Sequence, residues 1–128
     1  MTKEKTWTSS WKASEQPRKQ RAYVRNAPLH IRNESVVAHL SKELRAKHKR
    51  RAIRVKVGDK VKVMRGSFKN KAGKVERIDV KNKKVYVTGV EFAKRDGSKA
   101  QYPVHPSNLL VQELDLADKR RLTAEVKK

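Results

Sequence analysis

Arg65, Lys69, Lys71 and Lys74 surround a segment bracketed by Gly66 and Gly73. Cations at that spacing are suited to phosphate. Lysine supplies compact point charge, and arginine a planar fork that fits a phosphate or a guanine edge. Gly66 and Gly73 are expected to permit positive φ and a close approach to a partner, so that backbone N–H groups can reach phosphate oxygens. Asn70, between them, tolerates left-handed geometry better than other non-glycine residues. Phe68 has two readings: a platform for an unpaired base, or a plug for one end of a small core, which is the commoner fate of a lone loop aromatic. No Gly-Lys-Ser/Thr run follows Gly66, which excludes the phosphate-binding loop of nucleotide hydrolases.

Catalytic chemistry finds no comparable grouping. His30, His39, His48 and His105 are scattered without metal-ligand spacing, and His48 lies inside a cationic cluster that opposes metal binding. Cysteine is absent, which removes disulfides, thiolate ligands and a Cys nucleophile. The carboxylates mostly sit beside lysines, as solvated ion pairs do. The chain is therefore read as a non-enzyme, with no catalytic residues, metal, cofactor or small-molecule substrate.

The charge balance points to a polyanion. Among 128 residues, 34 Lys and Arg oppose 13 acids, for a net charge of +21. Self-repulsion of that size opposes a compact state unless a polyanion compensates it. Hydrophobic residues make up 36%, enough for a small core only. No apolar run could span a bilayer, and no secretory leader is visible. A soluble intracellular protein without membrane insertion is expected. The positive charge is uneven. Residues 1–52 hold 14 Lys and Arg against 4 acids, residues 53–99 hold 15 against 5, and residues 100–128 hold 5 against 4. The near-neutral C-terminal part is expected to face solvent.

Residues 1–15 read as an extended arm, with Trp7 and Trp11 either stacking on bases or packing back on the protein. A basic helix over 16–26 starts at Pro17 and ends before Pro28. Arg18, Arg21 and Arg25 share one of its faces, with Lys19 beside them, and such a stripe can track phosphates. Residues 29–40 show no clean period and are left open. Ser41 is a candidate N-cap for a helix from Lys42 to His48. That helix runs into Lys47, Lys49, Arg50 and Arg51, more cations than a helix dipole uses.

From Ile53 the period is two, with Ile53, Val55 and Val57 on one side and Arg54 and Lys56 on the other. Gly58-Asp59 is a turn. Lys60–Arg65 alternates again, with Val61 and Val63 inward. Val75 and Val80 anchor a following strand, and their odd spacing calls for a bulge or strong coil between them. Lys81-Asn82-Lys83 turns the chain, with Asn82 suited to the left-handed position, and Val85 and Val87 face inward on the return. Gln101–Val104 and Leu109–Leu114 complete about five strands. The pattern argues for a mainly β fold, a small barrel over residues 53–114. It leaves residues 1–52 as a basic extension with short helices, and 115–128 as a C-terminal helix or tail. On that division the barrel should fold without residues 1–52.

The segment Gly66-x-x-Lys69-Asn70-x-x-Gly73-x-Val75 resembles the KOW motif, with Asn70 in place of a glycine. Three blocks extend the likeness: Asn26 to Arg32, Leu40 to Arg45, and Val57-Gly58-Asp59 through the motif to Val87 with His105 to Leu109. Over roughly residues 15–118 the chain resembles the family of universal large-subunit ribosomal proteins numbered twenty-four, in its archaeal and eukaryotic form. The resemblance implies an SH3-like barrel with rRNA-binding extensions. It implies a cytoplasmic ribosomal protein that contacts large-subunit rRNA in its 5′ domain near the polypeptide exit, neighbours other large-subunit proteins and helps subunit assembly. His30, Arg32 and Arg45, from the matched blocks, join the expected rRNA contacts. The rival readings are a KOW module of a transcription-elongation regulator, which should carry a polymerase-binding domain before the motif, and a free-standing RNA chaperone.

Overall fold

The computed structural model describes residues 7–122, apart from the side chains of Trp11 and Lys12. Strands form at Val37–Leu40 (β1), Ala52–Arg54 (β2), Lys60–Val63 (β3), Ala72–Asp79 (β4), Lys84–Val87 (β5), Glu91–Ala93 (β6), Lys99–Gln101 (β7) and Leu109–Glu113 (β8). Six of them make one mixed sheet in the order β2-β1-β8-β3-β4-β5, and β6 and β7 form a separate hairpin. Pairing is antiparallel except between β1 and β8. Beyond β5 the sheet gains a single bridge from Val85 to Val104. The fold is mainly β as expected, but no closed barrel is found among the described residues, because β2 and β5 remain the sheet's two edges.

Alternation explains which face is buried. Val61, Val63, Val85, Val87, Leu109 and Val111 are essentially inaccessible, joined by Val36, Ala38, Leu40 and Ile53. Each fully buried side chain of this size contributes roughly 1.5–3 kcal/mol. β1 is thus part of the core although it lies in the segment read as an extension, and removing residues 1–52 would remove an inner strand. Val57 departs from its expected inward position and is 55% exposed, because the β2 pairing ends at Arg54 and the chain turns at Val57-Gly58. Val75 is buried and Val80 half-buried. The bulge between them is present as a register shift between Val75 and Arg77.

Three helices lie outside the sheet, Pro17–Asn26 (α1), Leu29–Glu34 (α2) and Lys42–His48 (α3), and none has a fully buried residue. α1 starts on Pro17, where no N–H is lost, and Ala27 is extended ahead of Pro28. In α3 the Ser41 hydroxyl accepts from the Leu44 N–H at 3.4 Å, and Lys49 ends the helix at φ 53°. Residues 29–40 lack one period because a six-residue helix and a four-residue strand divide them.

Both termini depart from expectation. Ser9–Ala13 winds into a 3₁₀ turn rather than an extended arm. Trp7 packs on Tyr23 of α1, ring centroids 5.1 Å apart, and its Nε1–H donates to the Tyr23 carbonyl at 3.2 Å. Trp7 therefore packs back on the protein, though on α1 and not on the sheet; the Trp11 side chain lies outside the described residues. The helix expected over 115–128 does not form across 115–122, and 123–128 lie outside the described residues. Asp115 and Asp118 each accept from the backbone N–H two residues on, at 3.0 and 2.9 Å. Such local bonds compete with helix formation.

The same segment is exposed over residues 115–120, as expected, and turns inward at Arg121. The Arg121 guanidinium donates to both Asp59 carboxylate oxygens at 2.5 Å and to the carbonyls of Asp115 and Arg54 at 2.9 Å. Asp59 is fully buried and Arg121 nearly so. The carboxylate also accepts from the backbone N–H of Lys56 at 3.0 Å and of Asp115 at 2.9 Å, which supplies the hydrogen bonding that a buried ion pair requires. No helix among the described residues is long and apolar enough to cross a membrane.

Candidate nucleic-acid interface

The segment between β3 and β4 is fixed by its backbone. Asn70 N–H donates to the Val63 carbonyl at 2.8 Å, Lys69 N–H to Gly66 at 3.2 Å and Lys71 N–H to Phe68 at 3.1 Å. Gly66 takes φ +95° and Asn70 +70°, as their residue types suggested. Gly73 does not: it lies within β4, and its φ is not positive. It must be glycine for a different reason. A Cβ there would stand 2.3 Å from the Thr88 carbonyl oxygen and 3.0 Å from Val87 Cγ1. The chain beyond β5 therefore closes directly over the Gly73 backbone. The amides of Lys69, Asn70 and Lys71 are thus engaged by carbonyls of Gly66, Val63 and Phe68 and do not point to a partner.

Those side chains point outward. Arg65, Lys69, Lys71 and Lys74 are exposed, and none forms an ion pair with a described residue. Lys71 Nζ lies 5.0 Å from the Phe68 ring centroid, a cation–π contact. Phe68 is half-buried against the core and meets Tyr102 at 4.9 Å between centroids, so it serves chiefly as the plug.

The other cations divide by what they already hold. Arg18, Arg21 and Arg25 are exposed along α1, and Lys19 is half-buried. His30 is exposed on α2, as are Lys47, Lys49 and Arg51 at and beyond the end of α3. Arg32 is instead a brace. Its guanidinium donates to the carbonyls of Ala27 at 2.9 Å, of Arg25, and of Lys81 at 3.4 Å. Arg45 Nε–H donates to the Leu40 carbonyl at 2.9 Å, and Arg50 donates to that of Leu122. These three keep their charge but commit donors to the fold.

Two concave surfaces gather the expected residues. Arg25 and Arg32 join Val24, Lys81, Asn82 and Lys83 around a groove of about 380 Å³. The turn on its rim places the left-handed residue at Lys83, φ 54°, rather than at Asn82. Asn82 is instead held by Asp79, which accepts from its backbone N–H at 3.2 Å and its amide at 2.8 Å. Those bonds hold the Asp79 carboxyl below its usual range. The second surface is a cleft of about 170 Å³ between the Gly66 loop and the chain around Tyr102 to Asn108. Lys84, Tyr102 and His105 line it, and none of them is among the contacts expected from sequence. No local spacing signals them, since the fold alone brings them to the loop. Burial first, then Lys84 and Lys83, push the His105 imidazole below its ordinary value, so the ring is neutral near pH 7.

Comparison with known proteins identifies the family. A family described as ribosomal proteins, L26 in eukaryotes and L24 in archaea, matches residues 14–127. The large ribosomal subunit protein uL24 of Methanosphaera stadtmanae is 48% identical over 108 residues, which cover 84% of this chain and 92% of that protein. The match takes in the outer helices, every strand and the segment that carries Arg121, so this chain belongs to the ribosomal protein family that comprises L26 of eukaryotes and L24 of archaea.

Proposed function

We propose that this protein is a structural constituent of the large ribosomal subunit and binds large-subunit rRNA, as a cytoplasmic ribosomal protein beside other large-subunit proteins. The 48% identity to a large-subunit protein over 84% of this chain and 92% of that protein carries this reading. The exposed cations of the Gly66 loop supply its physical means. Arg65, Lys69, Lys71 and Lys74, with the α1 stripe and the cations around the end of α3, neutralise phosphates on separate rRNA segments and hold them together. The six-stranded sheet is read as an open relative of the SH3-like barrel of KOW proteins. Residues 1–35 form the extension, 36–114 the sheet domain, and 115–122 a strap held by Arg121. The family likeness further supports a site on the 5′ rRNA domain near the polypeptide exit, with a part in subunit assembly.

The test is co-sedimentation of tagged protein with large subunits through a sucrose cushion. The protein should pellet with the subunit and stay after a high-salt wash. Recovery only in the unbound fraction, or with RNA polymerase, would overturn the proposal.

A further inference from the structure

We propose that the cleft between the Gly66 loop and Tyr102 to Asn108 seats a single unpaired RNA nucleotide, its base against the aromatic wall and its phosphate at the cationic rim. This rests on the RNA-binding reading above and names what that site takes. The cleft volume of about 170 Å³ is below the roughly 300 Å³ at which sites for drug-sized ligands begin. It suits one planar ring system and excludes a duplex.

Its lining is mixed in the way a nucleotide requires. Tyr102 is 42% exposed although it is a large ring. Phe68 meets it at 4.9 Å and Phe92 edge-on at 6.3 Å. A ring braced by two others is already oriented, so stacking a base on it costs little additional ordering. Arg65 and Lys84 reach the cleft from different elements and supply the charge for a phosphate. His105 Nδ1 accepts from the Ser107 N–H at 3.2 Å and lies 2.8 Å from the Ser107 hydroxyl oxygen, so Ser107 engages one ring nitrogen and Nε2 is left to meet a base edge. The groove beside Arg25 and Arg32 has cations but no aromatic lining, and so fits a phosphate backbone alone. RNA is read in sequence mainly through bases freed from the stack, and the cleft is the one concave surface described above with an aromatic wall to receive one.

The test uses the full chain and two RNA stems, one fully paired and one identical except for a single bulged 2-aminopurine. Affinity is measured at several salt concentrations, and the probe's fluorescence is followed during titration. The bulged stem should bind about tenfold tighter, in line with one base stacked on an aromatic ring, with the fluorescence quenched on binding. Tyr102→Ala should erase the preference, so that both stems bind with one affinity, while Tyr102→Phe should keep the preference. Equal affinity of the wild-type chain for both stems, or a preference that survives in Tyr102→Ala, overturns the cleft and leaves RNA binding standing. Binding to neither stem overturns both readings. If Tyr102→Ala fails to fold, the wild-type comparison decides alone.

Discussion

Arg121 and the cations of the Gly66 loop have similar chemistry and opposite surroundings. Arg121 is buried and surrounded by a carboxylate and two carbonyls, whereas Arg65, Lys69, Lys71 and Lys74 are exposed without an acidic partner among the described residues. The first arrangement pairs a cation inside the protein, with its Nε–H alone lacking a partner among the described residues. The second leaves the charge for an anion that arrives from outside. In a chain of net charge +21, a basic residue's role follows from which acceptors the fold offers it. Arg32 and Arg45 fall between, with donors given to carbonyls and charge still near the surface.

Four perturbations separate the two arrangements, in order of their effect on stability. Arg121→Ala should be the most damaging, because it leaves the Asp59 carboxylate buried and unpaired. A loss of about 3–5 kcal/mol is expected, read as a lower midpoint in urea unfolding. Gly73→Ala should cost about 1–3 kcal/mol by forcing the chain at Thr88 away, visible as a lower melting temperature with loop charge intact. Replacing Arg65, Lys69, Lys71 and Lys74 together with Ala should change stability by no more than about 0.5 kcal/mol. It should lower the salt dependence of RNA binding by roughly 0.7–0.9 in log–log slope for each phosphate that is no longer neutralised. An unchanged slope would remove the loop from the interface.

The smallest effect is an acid one. The Lys56 side chain and then the Arg120 N–H hold the Asp118 carboxyl below its ordinary 3.8. A lowered carboxyl stabilises the fold above that ordinary value and ceases to do so as pH falls through the folded one. Lys56→Met should therefore lower stability slightly near neutrality and flatten the profile below about pH 4, so that the variant and the wild type converge in acid. Circular dichroism melts across that range are the measurement.

These contrasts show which parts of the molecule are legible in residue order. Local signals carry well. Ser41 caps α3, the valines of β3 and β5 face inward, and the odd spacing after Val75 produces a bulge. The loop's basic character is equally plain, because it is a property of neighbours in the chain. What escapes depends on pairing between distant residues. Val37–Leu40 lacks a strand pattern long enough to be read, and becomes an inner strand only through β8. Arg121 reads as part of a helix, and its partner Asp59 lies 62 residues earlier. Gly73 stands out as a required glycine, but residue order suggests backbone freedom as the reason, whereas the requirement comes from Thr88 across the sheet. Tyr102 and His105 join the loop through the same long-range assembly.

The sheet order has a consequence for how the chain is made. β8, the last strand, lies between β1 and β3. While the nascent chain is still short of Leu109, one fragment of the sheet (β1 with β2) and another (β3 to β5) have no strand to join them, and each has an unpaired edge. Completing the sheet closes a loop between Leu40 and Val111, so the decisive pairings are among the most distant in the chain, and long-range pairing of this kind slows folding. Until then the two partial sheets expose unpaired strand edges. Leu109–Glu113 joins them, and Arg121 fastens the following segment to Asp59.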